Sequence, residues 1–336
     1  MTLGSMSEPL TIREPGDAIA AVPFMLGFHP ADSLVCLAFG GPRRACAIRQ
    51  DLPGADEHTA AVVARNGFTR AVVLGYGDAA RVEGAAAALC AALARHGVAV
   101  VDALRVLGDR WWPLACAGGP AAASCPPEGR AAGTAAARVT AEAVYAGHAA
   151  FASRADLARS VARVEGAARV AMRAATARAE IRFADLTESG GTAAAEGVPF
   201  VAELLERHRA DGLLPDDDDL AWLGVLLTAP RVRDEAWVRV RGDDPAADVE
   251  FWRDATRRVA RRYAAAPASL LAYAAYVRGD GALANVALDR ALDAAPAYSM
   301  ALLLREAAAL GVPPAAIRLR LTPDDLEVIS DRTRKP

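Results

Sequence analysis

The distribution of apolar positions changes character near Pro127. Before it, short β-branched and apolar runs alternate with stretches at helical spacing. After it, alanine, leucine and arginine recur almost entirely at helical spacing. A first short helix is expected with Asp17 as N-cap and Gly27 as the residue that closes it. Residues 34–39 are apolar at every position, as a strand buried on both faces requires. Gly40-Gly41-Pro42 then predicts a turn, and residues 45–51 the return strand of a hairpin. Arg49 and Asp51 share one face of that strand because strand side chains alternate. The pattern next predicts a helix over 57–66, a buried strand over 71–74, a helix over 78–96 and strands over 98–106 and 110–116. The order β-β-α-β-α-β-β predicts an α/β domain with a mixed sheet in two or three layers.

Residues 116–133 are rich in Gly, Pro and Ala and read as a loop. Helices are expected over 134–148 and 153–183, the second opened by a capping arrangement of Ser153 and Asp156. Ser189-Gly190-Gly191 marks a break, followed by helices over 199–209, 217–227, 232–240 and 246–264. Two more, over 269–277 and 282–294, flank Arg278-Gly279-Asp280-Gly281, and a third covers 297–310. Ala284, Leu288, Ala291, Leu292 and Pro296 carry the spacing of a tetratricopeptide repeat, although a single repeat does not make a solenoid. The expected fold is an α/β domain over 1–127, a helical connector over 128–190 and an all-α domain over 191–336 ending in a tetratricopeptide-like hairpin.

Composition narrows the chemistry. Of 38 basic residues only Lys335 is a lysine. A lone lysine beside the C-terminus argues against a P-loop clamp, a protein-kinase site and a pyridoxal-phosphate enzyme. Codon bias in a GC-rich genome accounts for the arginine excess. With a net charge of −3, a broad nucleic-acid-binding surface is not expected. The five cysteines (Cys36, Cys46, Cys90, Cys116, Cys125) make no CxxC pair and no disulfide framework, and the five histidines are scattered. No metal and no cofactor are expected. Residues 18–28 follow Glu14 and Asp17 and contain Pro23, so they do not read as a signal peptide. No run reaches the length of about 20 apolar residues that a bilayer requires. The expected location is the cytoplasm, without membrane contact.

Five places could carry chemistry. Ahead of the buried strand, His29 could act as a general base, Asp32 as its orienting acid and Ser33 as a nucleophile; a turn stabilised by Asp32 or Ser33 is the structural alternative. Arg49 and Asp51 form either an ion pair or an anion-binding position. Gly75, Gly77 and Ala80 fit a GxGxxA dinucleotide turn, with Asp102 as the ribose-binding acid, or else an ordinary turn capped by Asp78. Arg110, Trp111 and Trp112 place one tryptophan in the core and the other in a groove or interface, and Cys116 and Cys125 could form a redox pair or half of a metal site, or be buried or incidental thiols. Asp216-Asp217-Asp218-Asp219 could hold Mg²⁺, although side chains adjacent in sequence do not point at one spot, or else it opens a helix, where carboxylates are favoured. Beside these places, the helix faces bearing Arg257, Arg258, Arg261 and Arg262 could meet an acidic partner, a solvated face being the alternative.

Several of these segments resemble the motifs of an uncharacterised protein family common in actinobacteria. They are Val22-Pro23-Phe24-Met25-Leu26-Gly27-Phe28-His29-Pro30-Ala31-Asp32-Ser33-Leu34-Val35, then Arg49-Gln50-Asp51-Leu52-Pro53, then Arg110-Trp111-Trp112 with Cys116 and Cys125-Pro126-Pro127-Glu128-Gly129, and finally Gly279-Asp280-Gly281-Ala282-Leu283-Ala284 with Ala291-Leu292 and Pro296. The resemblance implies a cytoplasmic bacterial protein and supplies no catalytic residue. The leading expectation is a regulatory or scaffolding protein whose helical part binds a protein partner or a second copy. The alternatives are an enzyme or small-ligand binder using His29, Asp32, Ser33, Arg49 and Asp51, and a dinucleotide-binding protein.

Overall fold

A computed structural model describes residues 12–42, 45–54, 56–114, 126–145, 149–241, 245–318 and 321–334. The chain divides into two units. One comprises Met1–Leu157 with Gly279–Ala282 and Ala308–Val312, and the other Ala158–Arg278, Leu283–Ala307 and Pro313–Pro336.

The first unit contains α1 (Pro15–Leu26), β1 (Ser33–Phe39), β2 (Cys46–Asp51), α2 (Asp56–Arg65), β3 (Arg70–Tyr76), α3 (Ala79–Arg95), β4 (Ala99–Leu107), β5 (Arg110–Pro113), β6 (Arg130–Ala131) and α4 (Gly133–Tyr145). The strands form one mixed sheet in the order β2-β1-β3-β4-β5-β6. Only β3 and β4 run parallel, joined by α3; both expected hairpins, β1–β2 and β4–β5, are antiparallel. The sheet therefore reaches Ala131, past the expected domain limit at 127.

Alternation along the strands separates two buried faces. Leu34, Cys36 and Ala38 of β1, Ile48 of β2 and Val73 of β3 pack with Val63 of α2 and with Val82, Leu89 and Leu93 of α3. Burying each such Leu or Val contributes about 1.5–3 kcal/mol before conformational entropy is counted. On the other face α1 packs against β2 and α4, and a cavity separates Ala18 of α1 from Leu37, Val72 and Leu104. The layers are therefore three.

At the start of α1 the expected cap moves. Asp17 lies inside the first turn and accepts bonds from the backbone N–H groups of Arg13 (2.8 Å) and Glu14 (3.3 Å). It is buried and paired with Arg138 of α4 at 2.9 Å, which ties α4 to α1. A carboxylate at the third helical position serves the orphan amides as well as one at the cap does.

The second unit is helical. Its elements are α5 (Arg154–Arg159, shared with the first unit), α6 (Gly166–Glu188), α7 (Ala193–Asp211), α8 (Asp217–Leu226), α9 (Pro230–Val238), α10 (Ala246–Arg258), α11 (Ala265–Arg278), α12 (Gly281–Ala294), α13 (Ser299–Ala309), α14 (Pro314–Ile317) and α15 (Pro323–Arg334). α12 and α13 each cross the unit boundary. Trp222, Phe251 and Trp252 are among its largest buried side chains, and the rings of Phe251 and Trp252 meet edge to face at 4.9 Å.

The single helix expected over 153–183 is two, α5 and α6. Gly166 takes φ 63°, and the break is held by a bond from Val164 N–H to the Arg257 carbonyl at 3.0 Å. The helix expected from Pro199 starts earlier, because Thr192 Oγ1 accepts from Ala195 N–H at 3.2 Å and so opens α7. Among the described residues no helix is long and apolar enough to cross a membrane.

Candidate functional site

The antiparallel register aligns Asp51 of β2, Ser33 of β1 and Tyr76 of β3 in one row at one end of the sheet. Residues directly opposite one another point to the same face, with Cβ atoms about 5 Å apart. Arg49 lies two positions from Asp51 on that face. Ser33 is 0% exposed and Tyr76 8%. Among the described residues of the first unit, the buried side-chain polar atoms without a hydrogen-bond partner are Ser33 Oγ, Tyr76 Oη and Arg49 Nε. All three belong to this end of one sheet face.

The side chain of Arg49 is 13% exposed, and its Nη2–H donates to Asp51 Oδ1 at 2.6 Å. Its guanidinium also lies 5.9 Å from the centre of the Phe28 ring, within cation–π range. Asp51 is 81% exposed, so the row runs from a solvated carboxylate to two buried hydroxyls, with the sheltered Arg49 cation one level along the same face. Burial pushes the Tyr76 phenol well above its ordinary pKa, which keeps it a neutral O–H. A phenol O–H, a serine O–H and a guanidinium N–H can all donate, and together they match an acceptor-rich ligand. An unpaired buried donor costs about 1–3 kcal/mol, so these groups call for an acceptor such as a ligand or an ordered water.

Two turns border this row. In the first, Asp32 adopts φ 43°, a left-handed conformation that Asp tolerates better than most residues. Its carboxylate accepts from Arg81 Nη1–H of α3 at 2.7 Å. His29 and Asp32 are exposed while Ser33 is buried, and Ser33 Oγ bonds to neither. The structure therefore does not link the three as nucleophile, base and orienting acid. His29 contributes its backbone, whose N–H donates to the Phe151 carbonyl at 2.9 Å. The Gly279–Ala282 segment reaches the same turn, since a Cβ on Gly27 would lie 3.9 Å from Asp280 Oδ1.

The second turn carries the dinucleotide-like glycines. Gly75 allows close approach of α3, because a Cβ there would sit 2.2 Å from Val82 Cγ1. Gly77, at φ 142°, leaves room for Asp32, whose Oδ1 would lie 3.5 Å from an added Cβ. Asp78 caps α3 by accepting from Arg81 N–H at 3.0 Å. The chain's own carboxylates thus occupy the helix N-terminus that a pyrophosphate would need. Asp102 pairs with Val72 whereas Tyr76, beside Gly77, pairs with Val106. Four strand residues separate those levels by roughly 13 Å, so Asp102 is not brought to the Gly75–Gly77 turn.

Arg110, Trp111 and Trp112 hold the sheet edge together. Arg110 donates to the carbonyls of Gly129 (3.1 Å) and Glu128 (3.5 Å), and Trp112 Nε1–H donates to the Pro127 carbonyl at 3.0 Å. Arg105 stacks 3.8 Å from the Trp112 ring, and the buried Trp111 lies under Arg130 at 5.4 Å. Cys116 and Cys125 lie outside the described residues, as does Lys335. Cys36, Cys46 and Cys90 are buried. Burial, with Cys46 beside it, pushes the Cys36 thiol well up and makes it unreactive.

In the second unit the acidic run has separate obligations. Asp216 caps α8 by accepting from Asp219 N–H at 2.8 Å. Asp217 pairs with Arg258 (2.6 Å), Asp218 with Arg178 (2.5 Å) and Asp219 with Arg207 (2.8 Å). Among the described residues no three His, Cys, Asp or Glu side chains gather as metal ligands. Arg258, Arg261 and Arg262 are likewise engaged, the first with Asp217, the second with Asp293 and the third with Glu180.

A three-layer α/β unit with buried donor groups that lack a partner among the described residues, followed by a helical unit, is the class that this fold and site define. The chain belongs to the family described as a domain of unknown function, DUF4192, which matches residues 15–315. No curated protein and no solved structure matches it.

Proposed function

We propose that the first unit binds a small metabolite through an oxyanion, carboxylate or phosphate, held by Ser33, Arg49 and Tyr76. The observation that carries this reading is the coincidence, on one face of one sheet end, of three buried donor groups without a partner among the described residues. Arg49 supplies the counter-charge and its Nε–H, Ser33 and Tyr76 supply O–H groups, and exposed Asp51 holds the guanidinium until the ligand competes for it. Asp32 and Arg81 fix the neighbouring turn. A catalytic reading has no comparable support, since Ser33 has no base within bonding distance among the described residues. The scaffolding reading is weakened where the arginines of α10 and the following turn spend their charge inside the second unit.

The test is calorimetric titration of the full chain with inorganic phosphate and with a series of small mono- and dicarboxylates. At least one oxyanion should bind the native protein. Arg49→Met and the double variant Ser33→Ala/Tyr76→Phe should each weaken it at least about tenfold, as expected when hydrogen bonds to a charged group are lost. Absence of any binding, or binding unchanged in both variants, overturns the reading.

A further inference from the structure

Toward the opposite end of the same sheet face lies a cavity of about 470 Å³ between α1 and the strands. Ala18 of α1, Leu37 and Phe39 of β1, Val72 of β3 and Leu104 of β4 give it apolar walls. The volume lies within the range of about 300–1,000 Å³ usual for small-molecule sites. Asp102 of β4 also lines it. One oxygen of that carboxylate accepts from Ala103 N–H at 2.9 Å, and no cation pairs with it among the described residues.

The other charged groups of the lining do not neutralise Asp102. Arg70 lies over the Phe39 ring, 5.2 Å from its centre, and Arg13 and Glu14 stand at the start of α1. Burial holds the Asp102 carboxyl above its ordinary pKa, and the Ala103 N–H opposes that shift. A half-buried carboxylate beside an apolar cavity is costly unless a donor or cation meets it. Such a group gives an apolar pocket its polar anchor.

We propose that this cavity is a second ligand site, which takes a molecule with an apolar body about the size of one ring and a protonated amine that pairs with Asp102. It is separate from the oxyanion site and does not depend on it.

The test uses the full chain, labelled for NMR, titrated with phenethylamine, 2-phenylethanol and 3-phenylpropionate. Phenethylamine should move the amides of Val72, Asp102, Ala103 and Leu104, and bind at least about fivefold tighter than the alcohol, a modest return for one charge-assisted hydrogen bond. The carboxylate should leave those amides unmoved. Asp102→Asn should abolish the preference for the amine while the alcohol still binds, and Val72→Phe, which fills the cavity, should remove both. An amine preference below that margin, a preference that survives Asp102→Asn, or shifts that map away from these residues would overturn the proposal.

Discussion

The two ends of one sheet face pose opposite chemical problems. At one end the Ser33 and Tyr76 hydroxyls and the Arg49 Nε–H offer donors that have no acceptor among the described residues. At the other, Asp102 offers an acceptor that meets no cation among the described residues and lines a largely apolar cavity. Between them Val35, Leu37, Leu74 and Leu104 are fully or almost fully buried and carry no polar atoms in their side chains. The sheet is thus an inert floor with a different polar group at each end. Adjacent strands can do this because register brings residues from separate segments into one row, while strand length keeps two rows apart.

The largest expected effect comes from damaging the shared floor. Leu74→Ala should cost about 2–5 kcal/mol in urea unfolding, because a buried leucine is replaced by a cavity in a packed layer. It should impair both ends together. Loss of binding at one end alone, with stability unchanged, would show that the ends do not rest on a common support.

A smaller effect of opposite sign is expected at the donor end. In the absence of ligand, Ser33→Ala/Tyr76→Phe should stabilise the chain by about 1–3 kcal/mol, since unpaired buried hydroxyls carry a desolvation cost that the substitutions remove. A loss of stability in urea unfolding would mean that the two hydroxyls are satisfied, and the contrast between the ends would disappear.

The smallest effect concerns pH at the acceptor end. Because the folded-state pKa of Asp102 is raised, the folded chain holds that proton more tightly than the unfolded chain does. The stabilising contribution is complete below the ordinary aspartate pKa of about 3.9 and is lost as pH rises through the folded value. Asp102→Asn should therefore match the native chain in acid and exceed it slightly at neutral pH, as read from melting temperatures across the range. An equal difference at every pH would remove burial of charge as the cause.

Much of the floor was legible in the sequence, and little of the site was. The uninterrupted apolar run of β1 requires a strand buried on both faces, and Asp78 and Asp216 announce the helices they cap. His29, Asp32 and Ser33 are adjacent in sequence, yet they diverge because Ser33 begins a strand that points it inward while the turn leaves the other two in solvent. Tyr76 carries one of the three donors without a partner among the described residues, and nothing in its sequence neighbourhood beyond the glycines marks it out. Its alternation with Val72 and Leu74 places it on their face, but the pairing of that face with Ser33 depends on register, which a single strand does not encode. In the sequence, Asp102 stands out by its distance along the chain from the glycines. The structure keeps it as a residue of interest for a different reason, its position on the wall of a cavity.

The most direct measurement is a pair of NMR titrations of the same labelled chain, one with inorganic phosphate and one with phenethylamine. Phosphate should shift the amides of Ser33, Arg49 and Tyr76 and leave Asp102 and Leu104 in place, and phenethylamine should do the reverse. If phosphate moves none of the first three residues, or if both probes move one common set, the sheet face does not carry two sites of opposite chemistry.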